Sequence, residues 1–429
     1  MLKILSTAPA ITEAYDTTTK HFNEYVKTLN DYLQKENISL DDADTQFRTA
    51  RNVPQRVIVG ARTALKIIRG NRDADWVESY GAEHNTPITV TFIMPVYHEA
   101  ARMHARSTTN PHGENALLYK LQYLEELRAR CPHITPRLLI VDDGCDGKDP
   151  MGVTSGKAAE QLLAQRQTEQ PISIETKVIY LQDALTAHSP LLPKGLHSTT
   201  QSMKGGAVLY ALAYATQEWT PDTKNNHILA VSDADLSIDP AHLPTFIRTI
   251  LEQNCVVATG SRFETASVQY IEEARKGPGE LYAEVWRKLL PNLASSSQDA
   301  SRGFLAIAAP FASSIYKNVQ VFSFTYQAEM LLLAAKHGPH SLLPVPIAYI
   351  DSSALSNFQD DALPQTYFQQ AQVVQDIARR YNEPSPRALL DTIANAGHDP
   401  AAAEAWWLRV AKDKCSAEQL IATQPQTEV

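Results

Sequence analysis

Cysteine is scarce in this chain: its 429 residues include four, Cys131, Cys145, Cys255 and Cys415. They are far apart and never form a CxxC pair, which excludes the usual spacing of a structural zinc site. Scattered thiols at this density suit a reducing compartment, so a cytoplasmic location is expected. Long hydrophobic runs are missing too. No stretch of about eighteen apolar residues occurs, so no transmembrane helix is expected. The first residues, MLKILSTAPAITEAYDTTTK, lack the apolar segment of a signal peptide. The third absence is a basic excess: 39 Lys and Arg stand against 48 Asp and Glu, a formal net charge of -9. A surface built to coat nucleic acid carries the opposite balance, so no nucleic-acid partner is expected. A local basic pocket is compatible with that total. No internal repeat is present.

What is there supports a large packed interior. Apolar residues make up 44% and charged residues 20%, which argues against wholesale disorder. The length suits one domain of ~250 residues with additions at both ends. Residues 1–86 read as a helical N-terminal extension, with Tyr25, Leu29 and Leu33 four apart on one stripe and a second helix over Val57, Ile58, Val59, Ala61, Leu65 and Ile68. The extension is expected to pack on the rest of the chain; the alternative is a homo-oligomer interface formed by the helical extensions.

From residue 87 the pattern alternates strand and helix. Strands are expected at Ile88–Met94, Arg137–Val141, Ile172–Leu181, His227–Val231 and Cys255–Thr259, and helices at Ala116–Cys131, Lys157–Gln165, Lys204–Trp219 and Leu243–Gln253. That order predicts an α/β fold, a mostly parallel sheet flanked by helices, over residues 87–360. Residues 183–203 form a long Pro/Ser/Thr-rich connection of the kind that is functional or disordered. Residues 361–429 read as a helical C-terminal extension, with helices at Gln370–Arg380, Arg387–Ala396 and Ala401–Lys412 and a frayed TQPQTEV tail. Trp406 and Trp407 read as packing residues there.

Polar residues gather just after the strands, at the edge where open α/β sheets bind ligands. Asp233-Ala234-Asp235 ends an apolar strand, and two carboxylates one residue apart cannot both enter the core. Magnesium and manganese take such oxygens together with substrate phosphates. The plain structural alternative is a solvated turn. Asp142-Asp143-Gly144 ends another strand, either as a carboxylate for a base N–H or a ribose hydroxyl or as an ordinary Asp-Gly turn. Lys204-Gly205-Gly206 opens a helix, where glycines admit a phosphate and the helix N-terminus attracts it. The alternative is a helix start that tolerates glycine.

In order along the chain, these segments resemble the family 2 glycosyltransferases, in particular the dolichyl-phosphate glucosyl- and mannosyltransferases. Pro95-Val96-Tyr97-His98-Glu99 resembles that family's P-V-Y-N-E opening, and Val141-Asp142-Asp143-Gly144 its V-D-D-G-S segment. Lys204-Gly205-Gly206-Ala207-Val208 resembles K-G-x-A-V, Asp233-Ala234-Asp235-Leu236-Ser237 resembles D-A-D-x-S, and Gly260-Ser261-Arg262-Phe263 resembles G-S-R-F. Asp299 to Phe304 resembles D-x-Q-x-G-F, and Phe324 to Leu331 resembles an acidic helix with Glu329 in the acidic position. The likeness spans about residues 88 to 357, and seven short motifs in order are far less frequent by chance than one. His98, Cys145 and Ser301 stand where the family has Asn, Ser and Gln.

The resemblance implies a GT-A fold and a transferase that moves a sugar from a UDP- or GDP-sugar donor to a hydroxyl or phosphate acceptor by inverting displacement. It implies that Pro95, Tyr97, Glu99 and Asp142 or Asp143 line the nucleotide pocket, together with Gly205 and Ala234 on the donor side. Lys204 and Arg262 would meet the phosphates. Asp235 would bind a divalent cation, Mn or Mg, and Asp233 would touch ribose or that cation; Asp235 and Asp299 would be the catalytic residues, with Asp299 the general base, its alternative being an ion pair with Arg302. Arg262 has an alternative partner in Glu264, Glu329 an alternative role in bracing loops, and residues 183–203 would close over the donor. Two other readings exist: a sugar-phosphate nucleotidyltransferase, which lacks support because Pro95–Glu99 replaces the glycine-rich G-x-G-x-R loop, and a non-catalytic binding protein on the same fold.

Overall fold

Side-chain caps start the first helices. Thr19 accepts from the Phe22 N–H at the head of Lys20–Lys35, and Ser39 accepts from the Asp42 N–H at the head of Leu40–Arg48. Tyr25, Leu29 and Leu33 form the expected buried stripe. The computed structural model describes residues 2–145, 151–217, 226–271, 273–300, 303–352, 363–396, 405–407, 409–410 and 421–422. The Gln55–Glu83 helix runs well beyond the expected segment. Its Val59, Ala61, Leu65 and Ile68 pack on the N-terminal helices, and its Ala74 and Val77 pack toward the sheet. It can do both because small residues let neighbours approach on several sides.

The strands are β1 Ile88–Val96, β2 Ile134–Asp142, β3 Glu175–Tyr180, β4 His227–Ser232, β5 Val257–Ser261, β6 Val268–Tyr270, β7 Phe304–Ala308, β8 Leu342–Pro346 and β9 Ala348–Ile350. The main sheet has seven strands in the order β3-β2-β1-β4-β7-β5-β8, and β6 and β9 form a separate parallel pair. Within the main sheet β7 alone runs antiparallel to its neighbours, β4 and β5. The fold is therefore the expected α/β arrangement.

Alternate residues of the strands feed two cores. Phe92, Leu138, Ile140, Ile228, Ala230 and Phe304 face the helices Ala116–Arg130, Ser155–Glu169 and Leu243–Gln253. Ile93, Leu139, Val141, Leu229, Val231 and Leu305 face Gly205–Gln217 and the later helices Glu273–Leu289, Tyr326–His337 and Leu363–Arg380. Trp406 and Trp407 meet Phe368 edge-on, at ring-centroid distances of 6.4 and 5.9 Å, so packing is their role. Most of the expected 401–412 helix lies outside the described residues.

β1 continues two residues past its expected end and contains Pro95. Pairing with β4 stops at Ile93, so the missing N–H falls where only β2 remains as a neighbour. Among the described residues no helix is long and apolar enough to cross a membrane. Cys131, Cys145 and Cys255 are free thiols.

Candidate functional site

Three loops meet at the carboxyl edge of the sheet, after β1, β2 and β4. The parallel register sets Val96 beside Asp142 and Ile93 beside Val231, which brings the loop starts level. β4 delivers Asp233-Ala234-Asp235. Ala234 is buried in the core, and the carboxylates on either side stay in contact with solvent, 40% exposed at Asp233 and 19% at Asp235. Asp233 accepts a salt bridge from Lys204 Nζ, and its N–H donates to the Gly303 carbonyl (3.0 Å). Gly303 lets the Asp233 carboxyl lie against it, since a Cβ there would require that carboxyl to move. Asp235 Oδ1 accepts from the Ser237 N–H (3.1 Å), and its Oδ2 lies 3.9 Å from Arg102 Nη1.

Lys204 has a left-handed backbone, φ 85°, and joins two strand ends. Its ammonium reaches Asp233 while its N–H donates to Asp143 Oδ2 (2.5 Å). Burial opposes the charge on Lys204, but Asp233 and Asp235 more than offset this and hold the ammonium above its ordinary pKa. Asp143 is buried as well, which pushes its carboxyl up to about 7 against the hydrogen bonds from Ser202 and Lys204, and its Oδ1 has no partner among the described residues.

Several expected donor contacts take other forms. Asp142 Oδ1 accepts from the Gly144 and Cys145 N–H groups (2.8 and 3.0 Å) and Oδ2 from Gly156 (2.6 Å), so its carboxylate braces the loop instead of facing a pocket. Pro95 is buried inside β1, opposite Val141. In the helix that begins at Gly205 two of the first donors are occupied: the Gly206 N–H meets the Phe322 carbonyl (3.2 Å), and the Ala207 N–H meets Ser202 Oγ (3.0 Å). A Cβ on Gly205 would come within 2.6 Å of the Phe322 carbonyl oxygen. Gly205 thus admits a neighbouring loop, and the Gly206 and Ala207 N–H groups are not open to a phosphate there. Ala234 offers only its backbone.

Glu99 turns toward the Asp233-Asp235 turn. Its carboxylate accepts from Arg102 Nη1 (2.9 Å), and its N–H donates to Ser155 Oγ (2.8 Å). Burial raises its carboxyl to about 7, against the pull of Arg102. Tyr97 remains 43% exposed at the rim, its ring 4.3 Å from that of His98.

Arg262 and Asp299 form one unit. Arg262 Nε donates to Asp299 Oδ2 (2.7 Å), Nη2 to Oδ1 (3.1 Å), and the Arg262 N–H also to Oδ2 (3.1 Å). The Asp299 side chain is fully buried. A general base needs a carboxylate oxygen within reach of the acceptor hydroxyl, and here both oxygens orient Arg262, so the arrangement makes Asp299 a brace. Glu264 accepts instead from Ser261 Oγ. Ser301 and Arg302 lie outside the described residues. Glu329 accepts from the Gln320 and Val321 N–H groups (both 2.8 Å), Arg380 Nη1 (2.6 Å) and the Tyr381 hydroxyl (2.9 Å), which is a structural role.

The 183–203 segment is anchored. It opens with the Leu181–Thr186 helix, buries Leu191 and Leu196, and closes on a Ser198–Gln201 capping box before Ser202 caps the next helix. It positions Lys204.

Sequence reasoning passed over Arg102, Glu114 and Lys120. Arg102 contacts Glu99, Glu114 and Asp235, and Lys120 is fully buried against the Asp233-Asp235 turn. One signal was available: a lysine inside the apolar stripe Leu117, Leu121, Leu124 conflicts with its pattern, and such conflicts mark functional or strained sites.

For a divalent cation, the residues present fit a particular kind of binding. Among the described residues no group of three His, Cys, Asp or Glu side chains forms a protein-only cage. The paired carboxylates of Asp233 and Asp235 suit magnesium or manganese, which take one or two carboxylates and complete their shell with phosphate oxygens and water.

No family model matches this chain. Among solved structures it is similar to glucosyl-3-phosphoglycerate synthase of Mycobacterium tuberculosis, at 13% identity and a TM-score of 0.44, covering 73% of this chain and 86% of that one. The same synthase in complex with Mn2+, UDP and glucosyl-3-phosphoglycerate matches at 13% identity and a TM-score of 0.44, covering 71% and 84%. S. aureus TarS 1-349 matches at 11% identity and a TM-score of 0.35, covering 71% and 69%. At these values the geometry described above carries the functional argument.

Proposed function

We propose that this chain is a cytoplasmic GT-A-type glycosyltransferase that uses a divalent cation and a UDP- or GDP-sugar donor, with residues 87–360 as the transferase domain and helical extensions on either side. The observation that carries the reading is the solvent-open Asp233-Ala234-Asp235 turn, joined to Lys204 at the ligand-binding edge of the sheet. Two carboxylates and one cation on a single edge are the parts needed to hold a metal–diphosphate pair, and the seven ordered motifs point the same way.

In this reading Asp233 and Asp235 hold the cation, which when bound offsets charge on the leaving diphosphate. Lys204 adds a fixed positive charge beside it. The acceptor oxygen attacks the anomeric carbon while the bond to the diphosphate oxygen breaks, and the electron pair leaves with the diphosphate. Arg262, held by Asp299, offers a rigid guanidinium to a phosphate. A hydroxyl acceptor would have to pass its proton to a group other than the buried Asp299, whereas an ionised phosphate acceptor has no proton to lose.

Calorimetric titration of UDP, GDP and their sugar conjugates, with and without manganese, tests the proposal. Metal-dependent binding of one nucleotide is expected. Asp235→Ala should weaken it by at least ~100-fold, since loss of an outer-shell partner already costs ~10–100-fold, with the melting temperature unchanged. A folded wild-type protein that binds none of them would point to the non-catalytic reading.

A further inference from the structure

The turn that carries Asp233 and Asp235 lies beyond the end of β4. Gly303 takes the Asp233 N–H, and the carbonyls of Asp233 and Asp235 and the Leu236 N–H are met from a single stretch of chain, at and just before the Ala116–Arg130 helix. Lys120 Nζ donates to the carbonyl oxygens of both Asp233 and Asp235, the second at 2.7 Å. Glu114 Oε2 accepts from the Leu236 N–H (3.0 Å). The Tyr119 hydroxyl donates to Asp239 Oδ2 (3.0 Å), whose other oxygen accepts from the Ala241 N–H (2.8 Å).

We infer that Glu114, Tyr119 and Lys120 form a mould for the acidic turn, with Lys120 as the positioning residue that sets the direction of both carboxylates; the metal-binding consequence rests on the function proposed above. An ammonium buried in an apolar stripe is costly, and an apolar residue there is often neutral or better for stability. What the ammonium supplies is one donor group tied to two carbonyls. Fixing the carbonyls of residues 233 and 235 fixes two peptide planes, with Ala234 turned into the core between them. The carboxylates must then leave on the solvent side with a set separation. Magnesium and manganese tolerate little error in ligand placement, so that separation governs affinity.

Lys120→Met keeps the apolar stem and removes the ammonium. Two measurements on the full chain read the result: amide hydrogen exchange over residues 233–237 without metal, and manganese binding in the presence of UDP, followed by calorimetry and electron paramagnetic resonance. Faster exchange confined to 233–237 is expected, with manganese bound at least tenfold more weakly. Wild-type exchange together with wild-type manganese affinity would overturn the inference. Should Lys120→Met fail to fold, Tyr119→Phe tests the same mould: exchange at 236–241 should rise and manganese binding should weaken severalfold, and no change in either would overturn it. If the wild-type protein binds neither manganese nor UDP, the functional reading fails, while the exchange data still decide whether the mould exists.

Discussion

A carboxyl group shut away from water keeps its proton unless something replaces the solvent, and Asp143 at the end of β2 is in that position. Its pKa of about 7 lies above the ~3.9 of an unfolded aspartate. Below pH ~4 both states are protonated and burial costs nothing in ionisation. As pH rises from ~4 to about 7 the unfolded chain loses the proton and the folded chain retains it, so stability falls over that window and levels off above it. Glu99, also raised to about 7, acts in the same direction. Asp143→Asn should therefore gain on the wild type by a few kcal/mol between pH 4.5 and pH 8, measured by urea unfolding at each pH. A difference independent of pH would mean that the carboxyl is not held protonated. Residue identity was readable in advance here, but surroundings were not: Asp142 and Asp143 are chemically equal, equally buried neighbours, and what distinguishes them is that three N–H groups meet the first while Oδ1 of the second has no partner among the described residues.

At the scale of an element, the Gly205–Gln217 helix shows how packing reverses a propensity. An alanine for glycine in a helix ordinarily stabilises by about 1 kcal/mol. At Gly205 the added methyl would press on the Phe322 carbonyl at 2.6 Å and on Tyr326 Cβ at 2.7 Å. Gly205→Ala should instead cost ~1–3 kcal/mol, the range for overpacking, seen as a lower melting temperature. A rise would show that the 322–326 loop can retreat. The same loop accounts for the difference between the expected phosphate cradle and the capped helix start. A Lys-Gly-Gly sequence is open to either outcome, because glycine admits a ligand and a neighbouring backbone equally well.

Across the whole molecule, the C-terminal helices are tied to the α/β body by buried ions. Glu329 binds the 320–321 loop on one side and Arg380 and Tyr381 on the other, while Glu383 receives Lys336 and Asn292. Glu329→Gln removes the charge and turns an amide N–H group toward donors. It should cost at least about 2 kcal/mol, the penalty of leaving buried partners unmet, and limited proteolysis should cut after residue 380 earlier than in the wild type. An unchanged cleavage pattern would place the attachment in the Glu383 contacts and the apolar packing of Phe368 and Trp407.

Local pattern by itself determined β1 to β5, many of the helices and the gathering of acids at the strand ends, while β6 to β9 went unread. Alternation and helical spacing express which face of an element is buried, and that information is carried by near neighbours. Tertiary structure alone decided that β7 enters antiparallel between β4 and β5, that Asp299 closes on Arg262, and that Lys120 reaches a carbonyl 115 positions away. These depend on which strands become neighbours and in what register, and short motifs hold no record of that. The acidic turn was legible in the sequence; the residues that aim it became visible when the Ala116–Arg130 helix was laid against the sheet.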